Sequence, residues 1–382
     1  MRADVTAGSE ADPFLPDPPA EPAPRAALWN IQALRALAAL MVVFVHIQAL
    51  AVMAGLSAGV FEFGNAGVDI FFVISGFIMV FTTARRPMGS IAFLLARLQR
   101  IAPLYWSITL AVFAVAILAP QLLQTTRPDS QHLLASLLFL PFQRTDGSTR
   151  PVVFVGWTLN YEMAFYVLFA MGLMLRRRAM GVLLAFGALL ALVVWGQWAR
   201  PTSAAGAFYS TPMILEFGLG MLLGLAWPRM TFSRSAAMLL GLAGAGAFLF
   251  ILAAPALFPN GERFLSFGLP AFLILTAALA LEQAGFSLAW PWVRRLGNAS
   301  YAIYLSHFFV AQAVILAARK LALHGPGPAL GLGLLTFAGV AAVGLGLHYG
   351  LEQPMDAALR ALGRDRAHKA RQLAVPANPY SS

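Results

Sequence analysis

Between residues 31 and 351 the chain passes through ten apolar stretches separated by short polar breaks, near 31–53, 66–83, 101–119, 154–175, 179–198, 209–227, 236–256, 264–284, 298–318 and 329–351. Each is close to the roughly 20 residues that a helix needs to cross a bilayer. Long continuous apolar runs without period-two alternation select helices. The expected fold is therefore all-α, a polytopic integral membrane protein built as a bundle of about ten transmembrane helices. Only 11% of the 382 residues are charged, against about 25% in a soluble domain, so a soluble fold is excluded. There is no cysteine, which excludes disulfides, thiolate metal sites and a cysteine acyl-enzyme. The residues form no metal-ligating pattern, and no metal is expected.

The net charge of +10 is read as a topology signal, not as a nucleic-acid footprint. With the N-terminus inside, 19 of the 26 basic residues fall on the inner side, among them Arg176, Arg177 and Arg178. Both termini are thus expected in the cytoplasm. Residues 1–27, rich in Pro, Ala and acids, read as a disordered tail. Residues 28–356 form the membrane domain, and 357–382 a basic tail against anionic lipid. Two connections are substantial. The outer one, about 120–153, holds the apolar run HLLASLLFLPF, too short to span. The inner one ends in a short amphipathic helix that places Arg97 and Arg100 on one face.

Ionisable groups within hydrocarbon call for a function or a partner. Arg35 and His46 share the first span, about 20° apart around the helix and roughly 16 Å apart along it. The second span, GVDIFFVISGF, carries Asp69 at a depth similar to His46, and Ser75 near mid-membrane. A carboxylate on one imidazole nitrogen leaves the other free as a base; the bland alternative is a buried ion pair between helices. The fourth span gathers Trp157, Asn160, Tyr161, Glu162 and Tyr166, and the ninth Tyr301, Tyr304, Ser306 and His307. An aromatic belt accounts for Trp157 but not for Glu162. At the inner end of the tenth, Glu352 reads as the partner of a nearby arginine, while Glu216 in the sixth span has no evident role. Together these groups outline a hydrated cavity with an arginine-rich inner mouth and an outer cluster of histidine and carboxylate.

These residues resemble acyltransferase family 3, in particular its exopolysaccharide acetyltransferase branch. The likeness rests on R-x10-H in the first span, GVDIFFVISGF, RLQRIAPLYW, GWTLNYEMAFY, LGNASYAIYLSHFF and HYGLEQP, six motifs in order over about residues 28–356. The resemblance implies a ten-helix inner-membrane enzyme that moves an acyl group, typically acetyl, from cytoplasmic acyl-CoA to a sugar hydroxyl. It implies essential roles for Arg35 and His46, and contacts to CoA for Arg97 and Arg100. No resident cofactor is implied; acyl-CoA is a substrate, and the acceptor is a carbohydrate or glycolipid. Some relatives append a hydrolase-like domain for which this chain has no room, so transfer is completed by the chain itself or with a polysaccharide-assembly partner.

Arginine forks bind phosphate through paired hydrogen bonds, which suits Arg97 and Arg100, with Arg35 deeper. His46 is expected as general base on the acceptor hydroxyl, or as a transiently acylated nucleophile. Asp69 or Glu162 would fix its ring, and Tyr161, Tyr166 or Asn160 would stabilise the oxyanion. Ser75, Tyr301 and His307 complete the substrate-side candidates. The competing class is a transporter or flippase for a sugar-containing solute, since a polar path through a bundle serves translocation equally well.

Overall fold

The computed structural model describes residues 28–122, 128–144, 147–259 and 261–362. Both expected tails, 1–27 and most of 357–382, lie outside these residues. Fourteen α-helices follow in order: α1 (Trp29–His46), α2 (Gln48–Met53), α3 (Ala66–Arg85), α4 (Ser90–Leu118), α5 (Ser130–Leu137), α6 (Trp157–Leu173), α7 (Arg178–Ala199), α8 (Ala204–Tyr209), α9 (Leu215–Ala226), α10 (Arg234–Leu257), α11 (Leu269–Gln283), α12 (Pro291–Asn298), α13 (Ser300–Lys320) and α14 (Pro326–Leu347). No strand occurs among the described residues. Counting flanking turns, eight helices among the described residues are long and apolar enough to cross a membrane. The 17-residue α6 and the 12-residue α9 occupy the positions of the other two expected spans.

The centre of the bundle is α3, which is buried along most of its length. Glycines let its neighbours approach to backbone contact, the usual route to tight packing where lipid supplies no hydrophobic drive. A Cβ on Gly76 of α3 would stand 2.0 Å from the Phe217 carbonyl oxygen of α9, and one on Gly220 of α9 would stand 2.1 Å from that of Val73. Neither position accepts even alanine without the helices moving apart. On the opposite flank α1 packs against α3, and a Cβ on Gly67 would meet the Ala38 carbonyl at 2.4 Å.

The depth of α1 is fixed at its start. No side chain of its own caps the helix; the Glu282 carboxylate at the end of α11 accepts from the backbone N–H of Trp29 at 2.6 Å and of Asn30 at 3.1 Å. A negative charge there also complements the helix dipole. The Asn30 side chain adds bonds to the carbonyls of Ala278 and Phe286 and accepts from Leu288 N. This clamp holds Arg35, less than two turns further on, at one height.

Three expectations need correction. The first span breaks at Ile47, so that His46 is the last residue of α1. The short amphipathic helix and the third span are one helix, α4, of 29 residues with Pro103 inside it. Proline removes one N–H and crowds the preceding turn, yet the helix continues, and Arg97 and Arg100 ride on its first turns as an extension of the span. Glu352, finally, meets no arginine among the described residues: it meets His348 Nδ1 at 2.7 Å across a π-helical turn. The apolar run of the outer connection forms the short α5, capped by the Asp129 carboxylate on Gln131 N and His132 N.

Candidate active site

Two cavities of similar size lie end to end within the bundle. The first, about 350 Å³, is enclosed by α1, α3, α4, α6 and α13. Arg35, Arg97, Arg100, Glu162, Ser75, Tyr166 and Tyr301 all line it, so seven of the residues singled out from sequence meet in one place. Three guanidinium groups face a single carboxylate. Glu162 accepts from the Ser75 hydroxyl at 3.1 Å and from the Tyr166 hydroxyl in a very short bond. Tyr301 donates to the Ile101 carbonyl at 2.7 Å, and the Arg97 guanidinium stands 5.4 Å from the Phe93 ring centroid. Several polar atoms on this wall stay open to a ligand: Arg97 Nε, Ser300 Oγ and Gln32 Oε1 are buried with no hydrogen-bond partner among the described residues. An excess of positive charge with unused donors is what a polyanionic ligand requires.

The second cavity, about 330 Å³, contains His46 and His307, with Arg150, Arg263, Asn65 and Thr149 and the aromatic walls Phe154, Trp157 and Phe208. Val68 and Tyr304 line both cavities. Tyr304 is the partition: its hydroxyl donates to the Val155 carbonyl at 3.0 Å and accepts from Thr158 Oγ1 at 2.9 Å. The 11 residues from Arg35 to His46 correspond to roughly 16 Å of helix, so α1 presents one group to each chamber.

His46 ends the straight part of α1 and is framed by rings. Phe154 and Phe308 stack on each other at 4.9 Å, and the imidazole stands edge-on to both, at 5.5 and 5.2 Å and 85°. The third neighbour is the His307 ring, with centroids 5.0 Å apart. His307 is fully buried, and its Nδ1 lies 2.5 Å from the Tyr304 carbonyl oxygen. A carbonyl only accepts, so Nδ1 carries the proton and Nε2 carries the lone pair. In its neutral form His307 therefore accepts, and does not donate, at Nε2.

Among the described residues no carboxylate lines the cavity of His46. Both Asp69 oxygens are taken by Arg263, at 3.1 Å from Nε and 2.7 Å from Nη2, and Nη2 also bonds the Asn65 carbonyl at 3.2 Å. Asp69 is fully buried while Arg263 keeps 31% of its side chain exposed. Glu216, also fully buried, adds a second carboxylate beside Asp69, facing Gly268. Glu162 belongs to the other chamber. Two oxyanion candidates also stand apart: Tyr161 donates to the Phe208 carbonyl at 2.6 Å, Asn160 is buried without a side-chain partner among the described residues, and neither lines either of the two cavities.

Sequence reasoning missed Arg263 and Arg150. For Arg263 a signal existed: a buried aspartate demands a cation, and Arg263 sits one residue before an expected span. Arg150 lies over the Phe154 ring at 4.3 Å, a contact between a loop and a helix entry that no spacing encodes. Among the described residues no cluster of histidine, aspartate and glutamate could hold a metal ion.

Residues 28–347 match the family model described as an acyltransferase domain. The chain is similar to the exopolysaccharide production protein ExoZ of Rhizobium meliloti strain 1021, 37% identical over 275 residues, covering 70% of this chain and 82% of that protein. It is 28% identical over 321 residues to the putative peptidoglycan O-acetyltransferase YrhL of Bacillus subtilis strain 168, covering 73% of this chain and 48% of that one. Nodulation protein 10 of Rhizobium leguminosarum bv. viciae is 28% identical over 278 residues, 66% of this chain and 73% of that protein. No solved structure matches.

Proposed function

The chain belongs to the acyltransferase domain family of multi-pass membrane proteins, and from that premise we propose that it takes an acetyl group from acetyl-CoA on the cytoplasmic side and places it on a hydroxyl of an exported polysaccharide. The observation that carries this reading is the meeting of two chemically opposite chambers at Tyr304 and Val68. Arg97 and Arg100 hold the phosphates of CoA at the arginine-lined mouth, and Arg35 supplies a third positive group further in. Gln32 and Ser300 offer polar atoms to the slim pantetheine arm. The thioester passes the Tyr304 partition towards His46. Aromatic walls from Phe154, Trp157 and Phe208 suit the faces of a sugar ring in the second chamber.

The reaction closes without a cofactor. His46 takes the proton of the acceptor hydroxyl as the oxygen attacks the thioester carbonyl; the new C–O bond forms, the C–S bond breaks, and the proton passes from His46 to the sulfur of CoA. Asp69 contributes at one remove, by fixing Arg263 in the wall of the acceptor chamber. Glu162, held by Ser75 and Tyr166, orders the donor chamber. Relatives whose names refer to exopolysaccharide production and peptidoglycan O-acetylation support a polysaccharide acceptor. The bias of 19 to 7 in basic residues supports an inner membrane location with both termini in the cytoplasm.

The test is a purified-enzyme assay with radiolabelled acetyl-CoA and an acceptor glycan. One free CoA thiol per acetyl ester on the glycan supports the proposal. Thiol release without label on the glycan, or movement of glycan across a vesicle with no release of CoA, would overturn it. Reporter fusions test orientation: signals after Arg178 and beyond the C-terminus are expected in the cytoplasm, and signals near Asp146, which lies outside the described residues, on the far side.

A further inference from the structure

We propose that His307 is the positioning residue of His46, filling the place that a carboxylate takes in other base-activated acyl transferases. The inference rests on the reading of His46 as the base that receives the acceptor's proton. A histidine base needs a partner on its second nitrogen, because otherwise its tautomer and ring orientation are unset. No carboxylate among the described residues provides one: Asp69 is held by Arg263, and neither Asp69, Glu216 nor Glu162 lines the cavity that contains His46. Phe154 and Phe308 fix the plane of the His46 ring without offering a hydrogen-bond acceptor.

The remaining neighbour has the required atom. His307 is anchored through Nδ1–H on the Tyr304 carbonyl, and its Nε2 is buried with no partner among the described residues. A buried lone pair without a donor is unfavourable, and the group beside it able to supply a donor is the N–H of His46, on a ring whose centroid is 5.0 Å away. At that separation a nitrogen of one imidazole turned towards a nitrogen of the other comes within hydrogen-bond reach. A rotation of the His46 ring beside the Phe154–Phe308 stack makes the contact, and catalytic hydrogen bonds commonly tighten in this way only when substrate arrives.

The resulting chain runs from the Tyr304 carbonyl through His307 Nδ1–H and Nε2 to the His46 N–H, leaving the other His46 nitrogen free for the acceptor hydroxyl. When His46 takes the hydroxyl proton, its positive charge faces the His307 lone pair, backed by a carbonyl dipole. His307 itself neither gains nor loses a proton over the cycle. The design needs no buried charge, whereas a lone carboxylate at this depth would carry a large desolvation cost.

Full-length His307→Gln and His307→Leu enzymes, compared per folded molecule with saturating acetyl-CoA and glycan, test the proposal. Gln offers a carbonyl to the His46 N–H; Leu fills space and offers nothing. Turnover is expected to stay within about tenfold of wild type in the Gln enzyme and to fall about 10²-fold in the Leu enzyme, with the KM for acetyl-CoA unchanged in both. A packing role among aromatic rings would give the reverse order, and a Leu enzyme as active as the Gln enzyme overturns the proposal. If the Leu chain does not accumulate, His307→Phe, which keeps a ring but no nitrogen, carries the same comparison. The underlying reading fails separately: His46→Gln near wild-type turnover would remove the base itself, whereas an inactive His46→Gln beside an active His307→Leu would remove only His307.

Discussion

The two chambers differ by little in volume, about 350 against 330 Å³, and by much in how their charges are held. On the donor side the guanidiniums of Arg35, Arg97 and Arg100 outnumber the one carboxylate in the lining, and polar atoms are left open. In the cavity of His46 the arginine nearest the core, Arg263, is paired with a bidentate aspartate, and the imidazoles of His46 and His307 stand among phenyl rings. A polyanion and a sugar hydroxyl make opposite demands. Unsatisfied positive charge binds the first through charge-assisted bonds; the second needs an apolar face and a base that stays uncharged until the proton moves. The contrast implies that mutations will sort cleanly: donor-side changes should alter CoA affinity, and acceptor-side changes turnover.

The largest effect should come from His46. His46→Gln keeps size and some hydrogen bonding but removes the group that titrates, so acetyl transfer per folded molecule should fall by about 10² to 10⁴-fold while acetyl-CoA still binds. Near-normal turnover would break the assignment of catalysis to the acceptor chamber. Equal loss of CoA affinity would break the division between chambers.

Next comes Asp69, where the effect is on the fold. Asp69→Asn leaves the Arg263 guanidinium facing an amide, and breaking a buried pair from one side typically costs about 3 to 5 kcal/mol. Thermal unfolding in detergent should move down sharply, and the companion change Arg263→Gln in the same chain should restore part of the loss. Turnover per folded molecule should fall less than in His46→Gln. A larger loss would return the base to the carboxylate.

The third prediction concerns the donor side. Replacing Arg97 and Arg100 together by Gln should weaken acetyl-CoA binding by about 10 to 100-fold, taking hydrogen bonds to charged groups at about 1.5 to 3 kcal/mol, with folded yield and kcat near normal. Unchanged affinity in an equilibrium binding measurement would reduce both arginines to topology signals.

How far these sites could be read from the chain follows from which coordinate a sequence encodes. Depth along a span is countable only coarsely: the count outlines one polar path from Arg35 at the inner mouth to Glu162 and Tyr166 in the outer half, whereas one cavity gathers Arg35, Ser75, Glu162, Tyr166 and Tyr301 with Arg97 and Arg100. Direction between helices is not countable. Asp69 and His46 share a depth, yet α3 turns Asp69 towards Arg263, and Tyr161 points to the Phe208 carbonyl instead of a cavity. The break after His46 was equally invisible, since Ile47 is as apolar as its neighbours. Local capping was hidden too: the group that caps α1 is Glu282, some 250 residues away in sequence, a distance at which no motif is legible.

The smallest effect should arise at the partition itself, and it tests whether two chambers exist at all. The Tyr304 ring separates the cavities, while its hydroxyl only ties the ring to Val155 and Thr158. Tyr304→Phe keeps the wall and loses hydrogen bonds worth about 1 kcal/mol, so transfer should decline by less than about tenfold and CoA affinity should hold. Tyr304→Ala removes the wall. Water in the acceptor chamber then reaches the thioester, and acetyl-CoA hydrolysis in the absence of glycan should rise a few-fold above the Phe enzyme, read as free thiol. The backbone carbonyl that anchors His307 is retained in both, so the base arrangement is not the variable. An Ala enzyme with no added hydrolysis and normal transfer would mean that the two cavities are one, and that charge alone, without a dividing side chain, keeps donor and acceptor apart.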